Sequence, residues 1–190
     1  MNSRLVVLGL LCEKPYHGYE IKQTMKERYM NEWTEIPFGS IYSALKRMTQ
    51  EGLVRQEGVE KPGNRPSRTT YSITEAGRKE FLRLLREGWQ IMNAPPSTLR
   101  ICVVFMQALQ PEEIIGYLER RIQILNNSIQ HIQNVKKEVV RKGEPWAAQY
   151  WTAQYVAAFD ISLCQQTIGW AQGLLQDIQS GRISWKVENP

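Results

Sequence analysis

The chain has 190 residues, a net charge of +5 and three cysteines. This length allows one medium domain or a small domain with an extension. Three widely spaced cysteines and two histidines offer no ligand pattern for a structural zinc site, and no nucleophile lies in a recognisable catalytic elbow. We therefore predict a protein that is not an enzyme and carries no cofactor or metal.

The positive charge is concentrated in the N-terminal half. Residues 1–88 hold 15 Lys and Arg against 11 Asp and Glu. An excess of this size is compatible with nucleic acid binding but does not require it, because many proteins of similar charge bind none.

A hydrophobic segment follows Arg4 near the N-terminus. Leu5 to Cys12 resembles the apolar part of a secretion signal, but no small-residue cleavage site follows it. It is also far too short to cross a bilayer. We predict a buried first helix and no membrane partner.

A second helix is predicted after Pro15. Ile21, Met25 and Tyr29 recur four residues apart, which predicts that all three face the core. His17 and Tyr19 lie near its start. Both are candidate contacts to DNA phosphates, although a histidine beside a glycine turn is as readily structural.

The next predicted helix runs from Ser40 to Glu51, with Ser40 as an N-cap whose hydroxyl accepts a free backbone N–H. Its apolar residues share one face: Ile41, Ala44, Leu45 and Met48. Its other face carries side chains that hydrogen-bond base edges or phosphates: Tyr42, Ser43, Lys46, Arg47 and Gln50. One face therefore packs, and the other is available to a partner.

Two strands with a basic loop between them follow this helix. Gly52 suits the left-handed position after a helix, residues 53–59 have strand composition, and residues 69–73 alternate as a return strand. The loop between them carries Arg65 and Arg68, and no acidic residue occurs between positions 61 and 74, which suits phosphate oxygens or a minor groove. A solvated turn is the alternative reading of such a loop.

A fourth helix follows, with Thr74 as its N-cap and Glu75 in its first turn. The order helix, helix, helix, strand, strand, helix is that of a winged-helix unit. Two prolines within residues 93–97 predict a boundary, because they cannot continue a helix. The predicted fold is mainly α with a small β-hairpin, with a winged helix-turn-helix domain over residues 1–92 and a helical dimerisation domain over residues 97–190.

Long helices are predicted beyond this boundary. One carries apolar residues at alternating spacings of four and three, as in a coiled-coil seam: Leu118, Ile122, Leu125, Ile129 and Ile132. The other, from Trp146 to about Ser180, is apolar on more than one face, which predicts pairing with a second subunit. Packing within one chain is the alternative. Trp151 and Tyr155 are candidate contacts for a small-molecule effector, although aromatic residues at helical spacing more often form a core or an interface.

Three segments, LVVLGLLCEKPYHGYEIKQTM, GSIYSALKRMTQEGLV and RPSRTTYSITEAGRKEF, together resemble the DNA-binding domain of the PadR family of bacterial transcriptional regulators. The resemblance spans roughly residues 5–88, and the helical remainder resembles the larger PadR subfamily. It implies a cytoplasmic homodimer on a pseudopalindromic operator of double-stranded DNA, acting as a repressor and often released by a small molecule.

The resemblance also implies particular contacts. It points to Ser40, Tyr42 and Lys46 on the third helix, to Arg65 and Arg68 at the wing, and to the second-helix motif that contains His17 and Tyr19. This wing departs from the family pattern in having fewer basic residues before its tyrosine, which reduces its expected share of the affinity.

Two other functions remain open from the sequence. Winged helices also serve as protein-interaction adaptors, since a fold does not fix a function. A small-molecule-binding helical protein without direct DNA readout is the second alternative. The basic and polar face of the third helix favours DNA over both.

Overall fold

We describe the fold from a computed structural model, in which residues 2–34, 36–60, 68–92, 96–142 and 150–185 are described. The chain divides into two compact units, Met1–Leu109 (unit 1) and Gln110–Pro190 (unit 2). Both are predominantly helical in the described ranges, and a small antiparallel sheet lies in unit 1. The predicted fold class is confirmed.

Unit 1 contains the elements of a winged helix in the predicted order. Its helices are α1 (Asn2–Glu13), α2 (Gly18–Glu27), α3 (Asn31–Thr34), α4 (Phe38–Gln50), α5 (Glu75–Gln90) and α6 (Pro96–Val104). Its strands are β1 (Tyr16–His17), β2 (Val54–Glu60) and β3 (Arg68–Ile73). The sequence did not predict β1 or α3, because elements of two and four residues are too short to show a period.

Helix α1 lies at the centre of unit 1. Every residue from Leu5 to Leu11 is buried, and α1 packs against α4, α5 and α6. Gly9 lies so close to the ring of Phe105 that a Cβ there would be 2.6 Å from it. The apolar face predicted for α4 is also buried, with Ile41 fully inside the core. The segment mistaken most easily for a secretion signal is therefore the core helix.

The expectation that Tyr29 faces the core is wrong. Helix α2 ends at Glu27, and Tyr29 follows it in a left-handed conformation with φ 54° and an exposed side chain. Its N–H donates to Lys26 O at 3.0 Å, and Met30 N–H donates to Met25 O at 2.8 Å, which together close the helix. The spacing of four residues between apolar positions therefore continues in the sequence beyond the end of α2.

The sheet places β3 between β1 and β2, and both pairings are antiparallel. Tyr71 of β3 is opposite Tyr16 on one side and Gln56 on the other. An irregularity in the register occurs between Gln56 and Gly58, where Gly58 has φ 151°. Such a bulge bends the strand and increases its local twist.

A tight junction links α4, the hairpin and α5. Gly52 has φ 73° as predicted, and Leu53 N–H donates to Met48 O at 2.9 Å, which closes α4. Thr74 caps α5 by accepting Gly77 N–H at 3.0 Å, and its hydroxyl donates to Gly52 O at 2.7 Å. A Cβ at Gly77 would collide with Leu53 O. The end of α4 and the start of α5 are therefore fixed to each other.

Helix α6 belongs to the packing of unit 1. It packs against α1, α3 and α5, and Thr98 Oγ1 donates to Asn2 Oδ1 at 3.0 Å. The compact unit therefore continues to Leu109, past the boundary predicted at residues 93–97. Two prolines interrupted the helical pattern there, but the chain after them returns to the same core.

Unit 2 consists of two long helices, α7 (Pro111–Lys142) and α8 (Tyr150–Gln179), which pack against each other. The seam residues of α7 are buried or half-buried, from Leu118 to Ile132. Helix α8 buries Ile168, Ala171 and Ile178. The same chain thus supplies a packing neighbour for α7, which was one of the alternatives open from the sequence.

Helix α8 has a second apolar face that is exposed. Its large apolar residues are spaced at four, four and seven positions: Tyr155, Phe159, Leu163 and Trp170. At 100° per residue this stripe points away from the face that holds Ala171. The sequence expectation of apolar residues on more than one face is therefore confirmed. No helix in the described ranges is long and apolar enough to cross a membrane.

Candidate nucleic-acid interface

The outward face of α4 is the centre of the candidate site. The five polar side chains predicted for this face are all exposed: Tyr42, Ser43, Lys46, Arg47 and Gln50. The face opposite is buried, with Leu45 and Met48 in the core. The 13-residue helix therefore presents phenol, hydroxyl, ammonium, guanidinium and amide groups to solvent from a rigid support.

Ser40 does not cap α4, which corrects the sequence expectation. The helix begins at Phe38 with Pro37 as its N-cap, so Ser40 lies in the first turn. Its hydroxyl donates to Pro37 O at 2.7 Å and lies 3.0 Å from the hydroxyl of Ser3. Pro37 provides no side-chain cap, and the backbone N–H of Ser40 donates instead to Pro37 O at 2.9 Å. Ser40 is half-buried, unlike the residues of the exposed face.

Hydrogen bonds within α4 already use some of the donors on the exposed face. Ser43 Oγ donates to Gly39 O at 3.2 Å, and Arg47 Nε donates to Ser43 O at 3.4 Å. The Ser43 hydroxyl oxygen still offers its lone pairs to a partner, and the terminal nitrogens of Arg47 remain available in this bonding pattern. These bonds direct both side chains along the helix before any partner arrives.

Tyr42 sits where α4 meets the start of α2. Its side chain is 49% exposed, and a Cβ at Gly18 would lie 2.8 Å from Tyr42 Cε1. A residue larger than glycine would therefore push the ring away. Gly18 thus serves close packing between α2 and the exposed face of α4.

His17 makes the structural contacts that one of its two sequence interpretations predicts. It pairs with Thr70 across β1 and β3, and its Nδ1 lies 3.1 Å from Thr70 Oγ1. Its backbone N–H donates to Glu20 Oε2 at 2.8 Å, which satisfies a free donor at the start of α2. Tyr19 differs from it, because its side chain is exposed and no hydrogen bond is described for it.

An open cleft of about 390 Å³ joins the second-helix motif to α4 and the sheet. It is lined by His17, Gly18, Tyr19, Glu20, Tyr42, Thr69 and Tyr71. The cleft brings three residues named from the sequence, His17, Tyr19 and Tyr42, to one place. Sequence reasoning missed Thr69 and Tyr71 as members of this site, although their alternation on the return strand was a signal that could have placed them on one face.

The basic wing is only partly described. Arg65 lies outside the described residues, while Arg68 begins β3 opposite Glu60, with its side chain outside the description. The described part of the hairpin contains another cation that the sequence analysis did not consider. Arg55 on β2 donates from Nε to Ser72 Oγ at 3.0 Å and from Nη2 to Glu57 Oε1 at 2.8 Å, so its guanidinium is engaged within the sheet.

The two residues suggested for an effector belong to α8 in unit 2. Tyr155 is 74% exposed on the apolar stripe, and the side chain of Trp151 lies outside the description. Among the described residues, no group of His, Cys, Asp and Glu side chains is placed to hold a metal ion.

Together these features define the class of protein. A buried three-helix core, a recognition helix with a polar outer face and a hairpin beside it form a winged helix-turn-helix unit. Residues 7–83 match the transcriptional regulator PadR-like family. This part of the chain is therefore similar to PadR-like transcriptional regulators. The match covers less than half of the chain, and α7 and α8 lie beyond it.

Solved structures similar to the chain include three bacterial proteins. PadR of Bacillus subtilis in complex with operator DNA is 18% identical, with 92% of this chain and 98% of that chain covered and a TM-score of 0.42. The protein smu.1604c of Streptococcus mutans is 21% identical, with 93% and 99% covered and a TM-score of 0.43. The PadR-like regulator BC1756 of Bacillus cereus is 21% identical, with 94% and 98% covered and a TM-score of 0.37. No curated protein sequence matches the chain.

Proposed function

We propose that the protein binds a pseudopalindromic operator in double-stranded DNA as a homodimer. The observation that carries this proposal is the outward face of α4, where five polar side chains are exposed on a helix whose other face is in the core. An α-helix of this kind fits the major groove, and two copies related by a twofold axis read half-sites about one or two helical turns apart, at multiples of roughly 34 Å.

The exposed residues have different proposed roles. Tyr42, Ser43, Lys46 and Gln50 are placed for base edges, because their groups donate or accept hydrogen bonds at the tips of the side chains. Arg47 is proposed to contact phosphate.

The wing and the cleft are proposed to contact the DNA beside the groove. Arg65 and Arg68 are assigned to phosphate or the minor groove because they are cations of the hairpin that follows α4 in the chain. Tyr19 is a proposed backbone contact, supported by its exposure at the rim of the cleft that also contains Tyr42. His17 and Ser40 are proposed to hold α2 and α4 in position, since both side chains are hydrogen-bonded within unit 1.

The homodimer is proposed to form through the apolar stripe of α8. Phe159 is 63% exposed and lies between Tyr155 and Leu163 on the same face. A contiguous exposed apolar stripe marks an interaction surface, and helices that carry one bury it against another helix. This assigns Tyr155 to a subunit interface in preference to an effector site.

Repression in the cytoplasm, released by a small molecule, is the regulatory outcome we propose with this binding. It is supported by the family resemblance rather than by the geometry. The larger PadR subfamily is proposed on the same ground, with α7 and α8 as its long helical region.

Replacement of the reading residues tests the DNA-binding proposal. Tyr42→Ala and Lys46→Ala should each weaken binding to a DNA selected from a random pool by roughly 5-fold or more, because each removes a contact worth about 1–3 kcal/mol. A mobility-shift assay measures the loss, and circular dichroism checks that the fold is kept. Lys137→Ala, exposed on α7, is the matched control for loss of a lysine. Unchanged affinity in both variants would refute the assignment of α4.

The wing is tested through the salt dependence of binding. Arg65→Ala combined with Arg68→Ala should lower the slope of log affinity against log salt by roughly one to two units, because each phosphate contact releases about one counterion. Fluorescence anisotropy at several salt concentrations gives the slope. A slope equal to that of the unmodified protein would place the wing in solvent.

A further inference from the structure

The first turn of α1 touches both ends of the recognition helix. Ser3 Oγ lies 3.0 Å from Ser40 Oγ, in the first turn of α4. The neighbouring residue, Arg4, places Nη2 2.6 Å from Oε2 of Glu51, which is the C-cap of the same helix. Two consecutive side chains of one buried helix therefore contact the start and the end of the helix proposed to read DNA.

Arg4 also connects this contact to α5. Its Nε lies 3.2 Å from Oε1 of Glu80, close enough for an ion pair although the alignment is not that of a hydrogen bond. Glu80 is held in turn by Arg83, whose Nε is 2.8 Å from Glu80 Oε2. Charges thus alternate from the end of α4 through α1 into α5.

The charge of Glu51 gives this arrangement a physical reason. A carboxylate at the C-terminal end of a helix is unfavourable, because the helix dipole places partial negative charge there. The Arg4 guanidinium offsets that charge from outside the helix. The side chains are 31% and 43% exposed, so water and salt screen the pair less than a fully exposed one.

We propose that Arg4 is a positioning residue for DNA reading, which with Ser3 holds α4 at the angle its exposed face needs. This inference rests on the proposed function. A helix supported at one end alone can pivot about that end, whereas contacts at both ends fix its axis. Displacements of about an ångström are enough to weaken aligned contacts severely.

The test removes single charges while keeping side-chain stems. Arg4→Gln and Glu51→Gln should each lower discrimination between the selected operator and a scrambled DNA roughly 2- to 5-fold, the range of a partly exposed ion pair. The double variant should be no worse than the poorer single variant, because both remove the same interaction. Non-specific affinity and the salt slope should stay unchanged.

Arg83→Gln is the matched control. Arg83 shares the Glu80 carboxylate with Arg4 but has no described contact with α4, so its loss should leave discrimination unchanged. A salt slope lowered by about one unit in Arg4→Gln would make Arg4 itself a phosphate contact and overturn the positioning role. Additive losses in the double variant, or equal losses for operator and scrambled DNA, would also overturn it.

Hydrogen exchange of the free protein gives a readout that needs no DNA. In Arg4→Gln the amides in the last turn of α4 should exchange faster, while those of α2 should not change. Unchanged exchange in α4 would overturn the positioning role of Arg4 even if the protein binds an operator. If the unmodified protein shows no preference for any DNA while α4 loosens as expected, the proposed function fails. The conclusion that Arg4 holds α4 in place then remains.

Discussion

The first helix of unit 1 and the last helix of unit 2 are both rich in apolar residues, yet they are covered differently. Residues Leu5 to Leu11 of α1 are buried among three helices and strand β3 of the same unit. In helix α8, Ala171 is buried, whereas Phe159 and Leu163 are exposed. Unit 1 therefore buries its first helix within its own core, whereas unit 2 leaves an apolar face of α8 exposed, which we propose a second copy covers.

The largest expected effect comes from placing charge on the exposed stripe of α8. Phe159→Glu combined with Leu163→Glu should convert the proposed dimer to a monomer, because carboxylates cannot be buried unpaired. Operator affinity should fall by roughly 100-fold or more, since one recognition helix contacts too few base pairs to select a site. Light scattering after size-exclusion chromatography measures the mass, and anisotropy measures the affinity.

Gln165→Glu is the control for that pair, because Gln165 is exposed on α8 but lies off the stripe. It should leave the mass of the dimer unchanged. A double variant that stays dimeric would show that the stripe of α8 is not the dimer interface.

Replacing one glycine by alanine in each unit should change the free energy of unfolding in opposite directions, and this is the next largest effect. Gly77→Ala should destabilise unit 1 by about 2–4 kcal/mol, because the new Cβ collides with the Leu53 carbonyl at the junction of α4 and α5. Gly116→Ala, in α7, meets no atom within 4 Å and should stabilise its helix by about 0.5–1 kcal/mol. Urea unfolding followed by circular dichroism measures both. Equal effects in the two variants would contradict the close packing described for unit 1.

The smallest effect concerns the pH dependence of unit 1. Arg83, and after it Arg4, holds the pKa of the Glu80 carboxyl below its usual value of 4.5. The unfolded chain therefore takes up this proton first as pH falls. The stabilisation is complete above about pH 5 and is lost as pH falls through the lowered pKa.

Glu80→Gln should accordingly lower the free energy of unfolding by up to about 1 kcal/mol at neutral pH, and the difference should disappear at strongly acidic pH. Urea unfolding across the pH range tests this. Glu119→Gln, exposed on α7, controls for the loss of one negative charge. A difference that persists at acidic pH would mean that the ion pairs are not its cause.

Several parts of the site could be predicted from the sequence because they depend on local chemistry. The helical spacing of apolar and polar residues around Lys46 predicted the two faces of α4. Gly52 predicted the left-handed turn, and Thr74 predicted the cap of α5. All three predictions are confirmed. Ser40 was misassigned because the helix begins at Phe38, two residues before the predicted cap, with Pro37 as its N-cap. Tyr29 was misassigned because a period in sequence does not show where a helix ends.

Other parts of the site depend on residues far apart in sequence. His17 and Thr70 meet through β1, whose two residues are too few to show a strand pattern. Tyr71 joins Tyr42 in the cleft only because the sheet packs beside α2 and α4. Arg4 reaches Glu51 because α1 crosses the recognition helix, and no local pattern indicates that an arginine in a buried helix has this partner.

The order of the elements, the buried and exposed faces of α4 and the similarity to the PadR-like family follow from periodicity, caps and ordered motifs along the chain. The tertiary structure decided that α6 belongs to unit 1, that His17 is held by the sheet, and that Ser3 and Arg4 contact the two ends of α4. The reason is physical. A local pattern fixes which side of a helix is apolar, whereas the packing of whole elements fixes which distant polar groups come within hydrogen-bonding distance.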